Sequence, residues 1–241
     1  MDKKDKDKII NKYSENKSQD DPTYIYSIRN KIGFYQKLIL KKHFIRILNR
    51  NNIRVSSFMN IVDLGCGEGY WLREIADIRG NSGGLTGIDI SPDRIEKAQN
   101  INNNIHYQTM DILSNNLRND YFDFVIAFDL FMFLKDNDAL QKGFYEIFRI
   151  LKKGGYFLFF DIIGKKKENE LTRGFKKIEI IKLSDKNRFT LIDKQYVYKK
   201  IFGLKIFNTA YLAKFIPLEI LLILEKLFFF PSNNMFLLFK K

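Results

Sequence analysis

Little in this sequence points to a secreted or disulfide-stapled fold. There is one cysteine in 241 residues, Cys66, which excludes an internal disulfide framework and fits a reducing compartment. The first ten residues, MDKKDKDKII, hold no apolar run of signal-peptide length, so secretion is not expected. Prolines number only four, no stretch is rich in proline or serine, and no repeat is present, so nothing marks a linker. The apolar segment 203–230 is broken by Lys205, Lys214, Pro217, Glu219, Glu225 and Lys226, which excludes a clean membrane span. What remains is a globular composition, 45% hydrophobic and 15% aromatic, on a chain long enough for one large α/β domain.

The formal charge of +13 is unevenly spread. Residues 1–60 carry 14 basic and 6 acidic side chains, residues 61–164 carry 10 and 15, and residues 165–241 carry 17 and 7. The middle is acidic and both ends are basic. Basic ends attract phosphates or an anionic membrane surface. They also follow from a general lean toward lysine and asparagine, and both readings stay open.

Residues 1–22 are polar and charged without periodicity and read as a disordered leader. From Tyr24 to about Asn52, Ile28, Ile32, Tyr35, Leu38, Ile39 and Ile45 recur at helical spacing, which predicts one or two helices. Strand-like runs then occupy 60–64, 85–90, 104–109, 121–128 and 155–162, with helix-like stretches at 69–79, 92–101, 113–118 and 136–151. Ser91 and Pro92 suit a helix start. In RILKKGGYFLFF, lysines end a helix, glycines stop it and a strand follows. Alternating strands and helices predict a parallel sheet covered on both faces. Beyond Asp161 the pattern loosens to a strand at 187–200, helix over 203–230 interrupted at Pro217, and a last strand in NNMFLLFKK.

The segment NIVDLGCGEGYWL (60–72) ends an apolar strand with glycine at every second position. A glycine-rich turn from a first strand into a helix is a ligand site in this architecture. The dinucleotide fingerprint fails, because Tyr70 and Leu72 stand where its last glycine belongs, and no Walker-type ending exists. A pyrophosphate would also meet Asp63 and Glu68, whose fields oppose it. S-adenosylmethionine carries a sulfonium, an ammonium and one carboxylate. Acids favour its cationic part, and helix-start amides favour its carboxylate.

With VDLGCGEGY, LTGIDIS, IHYQTMDI, YFDFVIAFDLFMFL and RILKKGGYFLFF in order, the chain resembles the class I S-adenosylmethionine-dependent methyltransferases of small-molecule type. The resemblance spans about residues 55–163 in register. It implies a cofactor site made of Asp63, Gly65, Cys66, Gly67, Glu68, Gly69, Asp89, Ile90, Asp111, Ile112 and Phe128. In it the glycines shape the methionyl site, Asp63 and Glu68 tune its charge, Asp89 holds the ribose hydroxyls, and Asp111 with Ile112 frames the adenine. Cys66 reads as a small buried side chain, not a nucleophile. The expected fold is α/β, doubly wound, with a mostly parallel seven-stranded sheet whose last strand is antiparallel. N-terminal helices and a helical insertion before the last strand complete it. After the leader, 23–241 is expected to be one domain: a helical lid at 23–54, a cofactor core at 55–163 and a substrate-side part at 164–241.

Methyl transfer needs alignment above all, and a base when the nucleophile is a hydroxyl. Asp129, in the loop after the fourth strand, is the candidate catalytic residue. Phe133 stands where many relatives carry a histidine, which puts histidine base catalysis there in doubt. His106 reads as structural and His43 as a surface residue. No metal site is expected, although Asp129 and Asp161 stand roughly where catechol-type relatives bind magnesium. The signatures of adenine-amino and cytosine methylation are absent, so nucleic acid is not the expected partner. Residues 24–35, with Arg29, read as a lid or an edge helix. Residues 203–230 read as a cap, a homodimer surface or a helix at a membrane interface. The first expectation is a cytoplasmic O-methyltransferase of a glycan or lipid-linked intermediate, peripheral at the membrane if 203–230 meets lipid. The alternatives are an RNA methyltransferase and a non-catalytic cofactor-binding scaffold.

Overall fold

A computed structural model describes residues 3–14, 31–163, 172–197, 217, 219–220 and 234–241. Six helices and seven strands run in the order α1 (Lys3–Ser14), α2 (Lys31–Arg50), β1 (Ile61–Leu64), α3 (Tyr70–Arg79), β2 (Leu85–Asp89), α4 (Pro92–Ile101), β3 (His106–Thr109), β4 (Phe122–Phe128), α5 (Asn137–Ile150), β5 (Leu151–Ile162), α6 (Lys177–Lys186), β6 (Thr190–Tyr196) and β7 (Asn234–Lys240) among the described residues. The strands form one sheet in the order β3-β2-β1-β4-β5-β7-β6. Pairing is parallel from β3 through β5. β7 is antiparallel to β5: Gly154 N–H donates to Lys241 O at 2.9 Å and Lys241 N–H to Gly155 O at 3.1 Å, so the end of one strand meets the start of the other.

The chain divides into two compact units. One comprises Met1–Ser14, Arg54–Lys194 and Phe236–Lys241; the other comprises Glu15–Ile53 and Gln195–Met235. The sequence pattern suggests one domain because no linker composition separates the two. In the second unit, α2 buries Ile39, Leu40, His43, Phe44, Ile47 and Leu48, an i, i+4, i+8 stripe. His43 is therefore a core residue at 3% exposure, not a surface one, and its ring nitrogen Nδ1 is hydrogen-bonded to the Gln195 amide. His106 is exposed at the start of the edge strand β3, which has a neighbouring strand, β2, on one side only.

The central strands are buried on both faces, as expected of a sheet covered by crossover helices. Beside them lies an aromatic core. Phe144 of α5 is fully buried, with ring centroids of Phe131 at 5.1 Å, Phe157 at 5.8 Å, Phe189 at 6.3 Å and Phe239 at 6.4 Å. Phe157 and Phe239 stack at 5.6 Å, joining β5 to β7.

Four local readings differ from the structure. Residues 3–14, within the 1–22 expected to be disordered, are helix, and residues 15–22 lie outside the described residues. The lysines and aspartates of 3–14 recur three or four positions apart, which supports a helical turn, and Ile9 is buried. Helix α6 escapes the periodicity because only Ile180 and Ser184 on it are buried. The helix expected at 113–118 is a 3₁₀ turn at Ile112–Ser114. Lys152 and Lys153 belong to β5, not to a helix end, because the strand begins at Leu151 and absorbs extra residues in a bulge. Leu151 pairs with Phe122 but Tyr156 already pairs with Phe124, and Gly154 supplies the left-handed turn at φ 79°. Residues 203–216 and 221–230, and Arg29, lie outside the described residues.

Replacing Phe144 by alanine opens a cavity among four rings. Urea denaturation should show a loss of about 3–5 kcal/mol, against under about 0.5 kcal/mol for the exposed Phe58→Ala.

Candidate functional site

The sheet order reverses between β1 and β4, and ligands in such sheets bind in the crevice outside the carboxyl ends of the strands at that point. The glycine loop leaves β1 on one side of this crevice, and residues 129–136 leave β4 on the other. The two meet: a Cβ built on Gly65 would stand 2.9 Å from Leu130 Cδ1.

Gly65, Gly67 and Gly69 have φ of 74°, 54° and 73°, a conformation glycine adopts without steric cost. Bare backbone is also needed for space. A Cβ at Gly67 would meet the Arg94 guanidinium, and one at Gly69 would lie 2.6 Å from Tyr107 Cζ. The loop is stitched to β2. Gly65 and Cys66 N–H both donate to Ile88 O, at 2.8 and 3.0 Å, and Gly67 N–H donates to Asp89 Oδ2 at 2.8 Å. Ser91 N–H takes the other oxygen, Oδ1, at 2.9 Å. Ser91 stands at the start of α4 but its hydroxyl makes no cap bond. It is buried, with no hydrogen-bond partner among the described residues. Gly69 starts α3 and offers no side-chain cap to the first-turn amides.

Acids dominate the charge of the site. Asp63, Glu68 and Asp89 are all buried. Burial first, and then the Asp89 charge, hold the Asp63 carboxyl well above the usual carboxylate range. Burial, with help from Asp63 and Asp89, raises the Cys66 thiol in the same way, so Cys66 is not an activated nucleophile. Burial pushes the Tyr107 phenol up to about 12. Glu68 pairs loosely with Lys97 at 3.9 Å, and its carbonyl accepts from Arg73.

Asp111 follows Met110, whose N–H donates to Asp89 O at 2.9 Å, so the β3 exit is tied to the β2 exit. Asp111 Oδ1 accepts from Leu113 N–H at 2.9 Å, and Oδ2 pairs with Lys6 Nζ at 2.5 Å. Ile112 is buried and Ile90 half-buried. Phe128, the last residue of β4, touches Trp71 at 5.1 Å, Phe236 at 5.3 Å and Phe160 at 5.8 Å in edge-on contacts. Asp129 comes next. It is exposed, held at φ 52° as a non-glycine residue, and its N–H donates to Phe160 O at 2.8 Å. Asp161 is fully buried and accepts from Met132 N–H at 2.9 Å, so one of its oxygens is spent on the turn after Asp129. Among the described residues, no three histidine, cysteine or acidic side chains are grouped as a metal site.

Thus the loop and Asp89 come together directly, and Asp111 joins them through backbone. Asp129 sits across the crevice. Sequence reasoning missed Leu130, Arg94, Tyr107 and Lys6. The first three are found only by asking what faces a missing Cβ, and nothing in the local sequence marks Lys6.

Residues 61–155 match the methyltransferase domain family. Over that stretch, under half of its length, the chain is similar to methyltransferase domains. A sterol 24-C-methyltransferase of Gibberella zeae is 30% identical over 131 residues, covering 52% of this chain and 32% of that protein. The methyltransferase phqN of Penicillium fellutanum is 28% identical over 128 residues, covering 51% and 36%. The chain therefore spans about a third of the length of the curated relatives it matches. The same fold occurs in geranyl diphosphate C-methyltransferase of Streptomyces coelicolor, with TM-score 0.66, 12% identity and coverage of 98% and 97%. It also occurs in magnesium protoporphyrin IX methyltransferase of Synechocystis, with TM-score 0.65, 12% identity and coverage of 100% and 98%. Among the described residues, no helix is long and apolar enough to cross a membrane.

Two outcomes follow. Gly69→Ala must place a methyl group against the rigid Tyr107 ring in a left-handed backbone. It should cost at least about 2 kcal/mol in urea, more than Gly67→Ala, whose neighbour is a flexible arginine. Asp63 is protonated more readily folded than unfolded, so stability falls as pH rises from its ordinary value of 3.8 toward the raised folded value. Asp63→Asn should flatten that fall in melts taken from pH 4 to 8.

Proposed function

We propose that this protein transfers a methyl group from S-adenosylmethionine to a small-molecule acceptor. The observation that carries the reading is the Gly67 N–H to Asp89 contact. It sets a bare glycine loop and a buried acid at the switch point of the sheet, next to a second buried acid, Asp63.

The residues present fit this cofactor. Two buried acids favour a ligand with net positive charge and oppose a pyrophosphate. The uncapped start of α3 suits a carboxylate. Each Asp89 oxygen accepts one backbone N–H and keeps a lone pair for a ribose hydroxyl, beside the unpartnered Ser91 hydroxyl. Asp111 and Ile112 take the adenine, and Ile90 and Phe128 border the nucleoside and the methyl. Cys66 fills the loop from beneath.

When bound, the cofactor supplies a methyl group on a cationic sulfur with a neutral leaving group. The chain's part is to align and shield. Leu130 against Gly65 closes the crevice below the acceptor. Asp129, exposed at the crevice rim, accepts the proton of an acceptor hydroxyl. The finer reading is O-methylation of a lipid-linked or glycan intermediate. The half-buried Trp71 ring, beside Phe128 at the crevice, favours its apolar, lipid-linked form. The sterol named for one similar protein is apolar, and the geranyl diphosphate named for another has an apolar isoprenoid chain.

Calorimetric titration with S-adenosylmethionine and S-adenosylhomocysteine tests the reading. Micromolar binding that weakens at least about tenfold in Asp89→Ala supports it. A folded protein that binds neither compound overturns it in favour of a scaffold.

A further inference from the structure

Helix α1 does not behave as a leader. Residues 1–14 belong to the compact unit of the cofactor core, although residues 15–53 do not. Ile9 is buried, which anchors the helix. Two adjacent residues of α1 then reach the segments that follow β3 and β4. Lys6 Nζ lies 2.5 Å from Asp111 Oδ2, at the exit of β3, and Asp5 Oδ1 lies 3.9 Å from Lys135 Nζ, beyond the exit of β4.

Asp111 has few open positions. Its Oδ1 already accepts Leu113 N–H, so Oδ2 is the oxygen without a backbone donor and the better acceptor for a ligand. Lys6 sits on that oxygen. The 6-amino group of adenine is a donor with positively polarised hydrogens, so it cannot share the same side of Oδ2 with an ammonium without repulsion. We infer that Lys6 sets cofactor affinity by competing with the adenine amino group for Asp111, so that cofactor entry must break the Lys6–Asp111 pair. The inference rests on the reading of Asp111 as the adenine partner.

The size of the effect follows from exposure. The Lys6 side chain is 30% exposed and that of Asp111 13% exposed, so the pair is partly screened and modest. Its loss changes affinity by about two- to fivefold. The sign is what distinguishes competition from support. A lysine that merely held Asp111 in place would make the cofactor bind more weakly when removed.

The test is calorimetric titration of the full chain with S-adenosylhomocysteine and with its 6-oxo analogue S-inosylhomocysteine, which lacks the amino group. Wild type, Lys6→Ala, Lys6→Arg and Asp111→Ala are compared at 50 and 300 mM NaCl, with thermal melts to confirm folding. Lys6→Ala is expected to bind S-adenosylhomocysteine about two- to fivefold more tightly at low salt, and Lys6→Arg to match wild type. Raising the salt should tighten wild type toward Lys6→Ala and leave Lys6→Ala nearly unchanged. The 6-oxo analogue, whose oxygen accepts from an ammonium, should gain no affinity in Lys6→Ala. Weaker or unchanged binding in Lys6→Ala overturns the competition, while Asp111→Ala still weakens S-adenosylhomocysteine selectively. If Asp111→Ala treats the two compounds as wild type does, the adenine reading itself fails, and the competition fails with it.

Discussion

The site depends on one hydrogen bond, from Gly67 N–H to the Asp89 carboxylate. It joins the turn after β1 to the end of β2 and fixes where both the loop and the acid stand. It is buried and charge-assisted, so it is stronger than an ordinary backbone contact. A side chain at Gly67 would have to displace Arg94 and adopt a left-handed backbone, so the bond and the bare residue require each other.

Around that bond the charges are arranged against expectation for a basic chain. The central segment is acidic, and its acids are the buried ones. Burying two carboxylates side by side is unfavourable on its own, and the raised Asp63 carboxyl records that cost. A cationic ligand relieves it. The positive side chains that approach the site, Arg94, Lys97 and Lys6, come from elements packed around the loop or docked on it, not from the loop itself. The net charge of the chain therefore says little about the field at the crevice.

A mostly buried aromatic cluster lies next to the acids. Trp71, Phe128, Phe160 and Phe236 come from α3, β4, β5 and β7, and Phe236 reaches Phe128 and Phe160 because β7 lies beside β5. Asp129 is held in a sparsely populated backbone conformation between this aromatic cluster and the glycine loop. Strain of that kind persists where the surroundings over-determine it, here through the Phe160 carbonyl.

The elements whose cause is local could be read from the chain alone. Glycines at 65, 67 and 69 announce positive φ, Ser91–Pro92 a helix start, and alternating apolar runs the buried parallel strands. These signals need only neighbours within a few residues, so β1 to β5 and the acids at their ends were legible. Whatever depends on distant partners was settled by packing. Packing buries His43 against Gln195 and leaves His106 on an edge. It folds Lys152 and Lys153 into a bulged strand because β4 sets the register. It turns a charged N-terminus into a helix through Ile9 and the Lys6–Asp111 pair. A polar segment without a repeating apolar stripe shows no face that must be covered. What buries Ile9 lies outside the helix at 3–14, and Lys6 meets an acid more than a hundred residues away, so no pattern within twelve residues can carry that information.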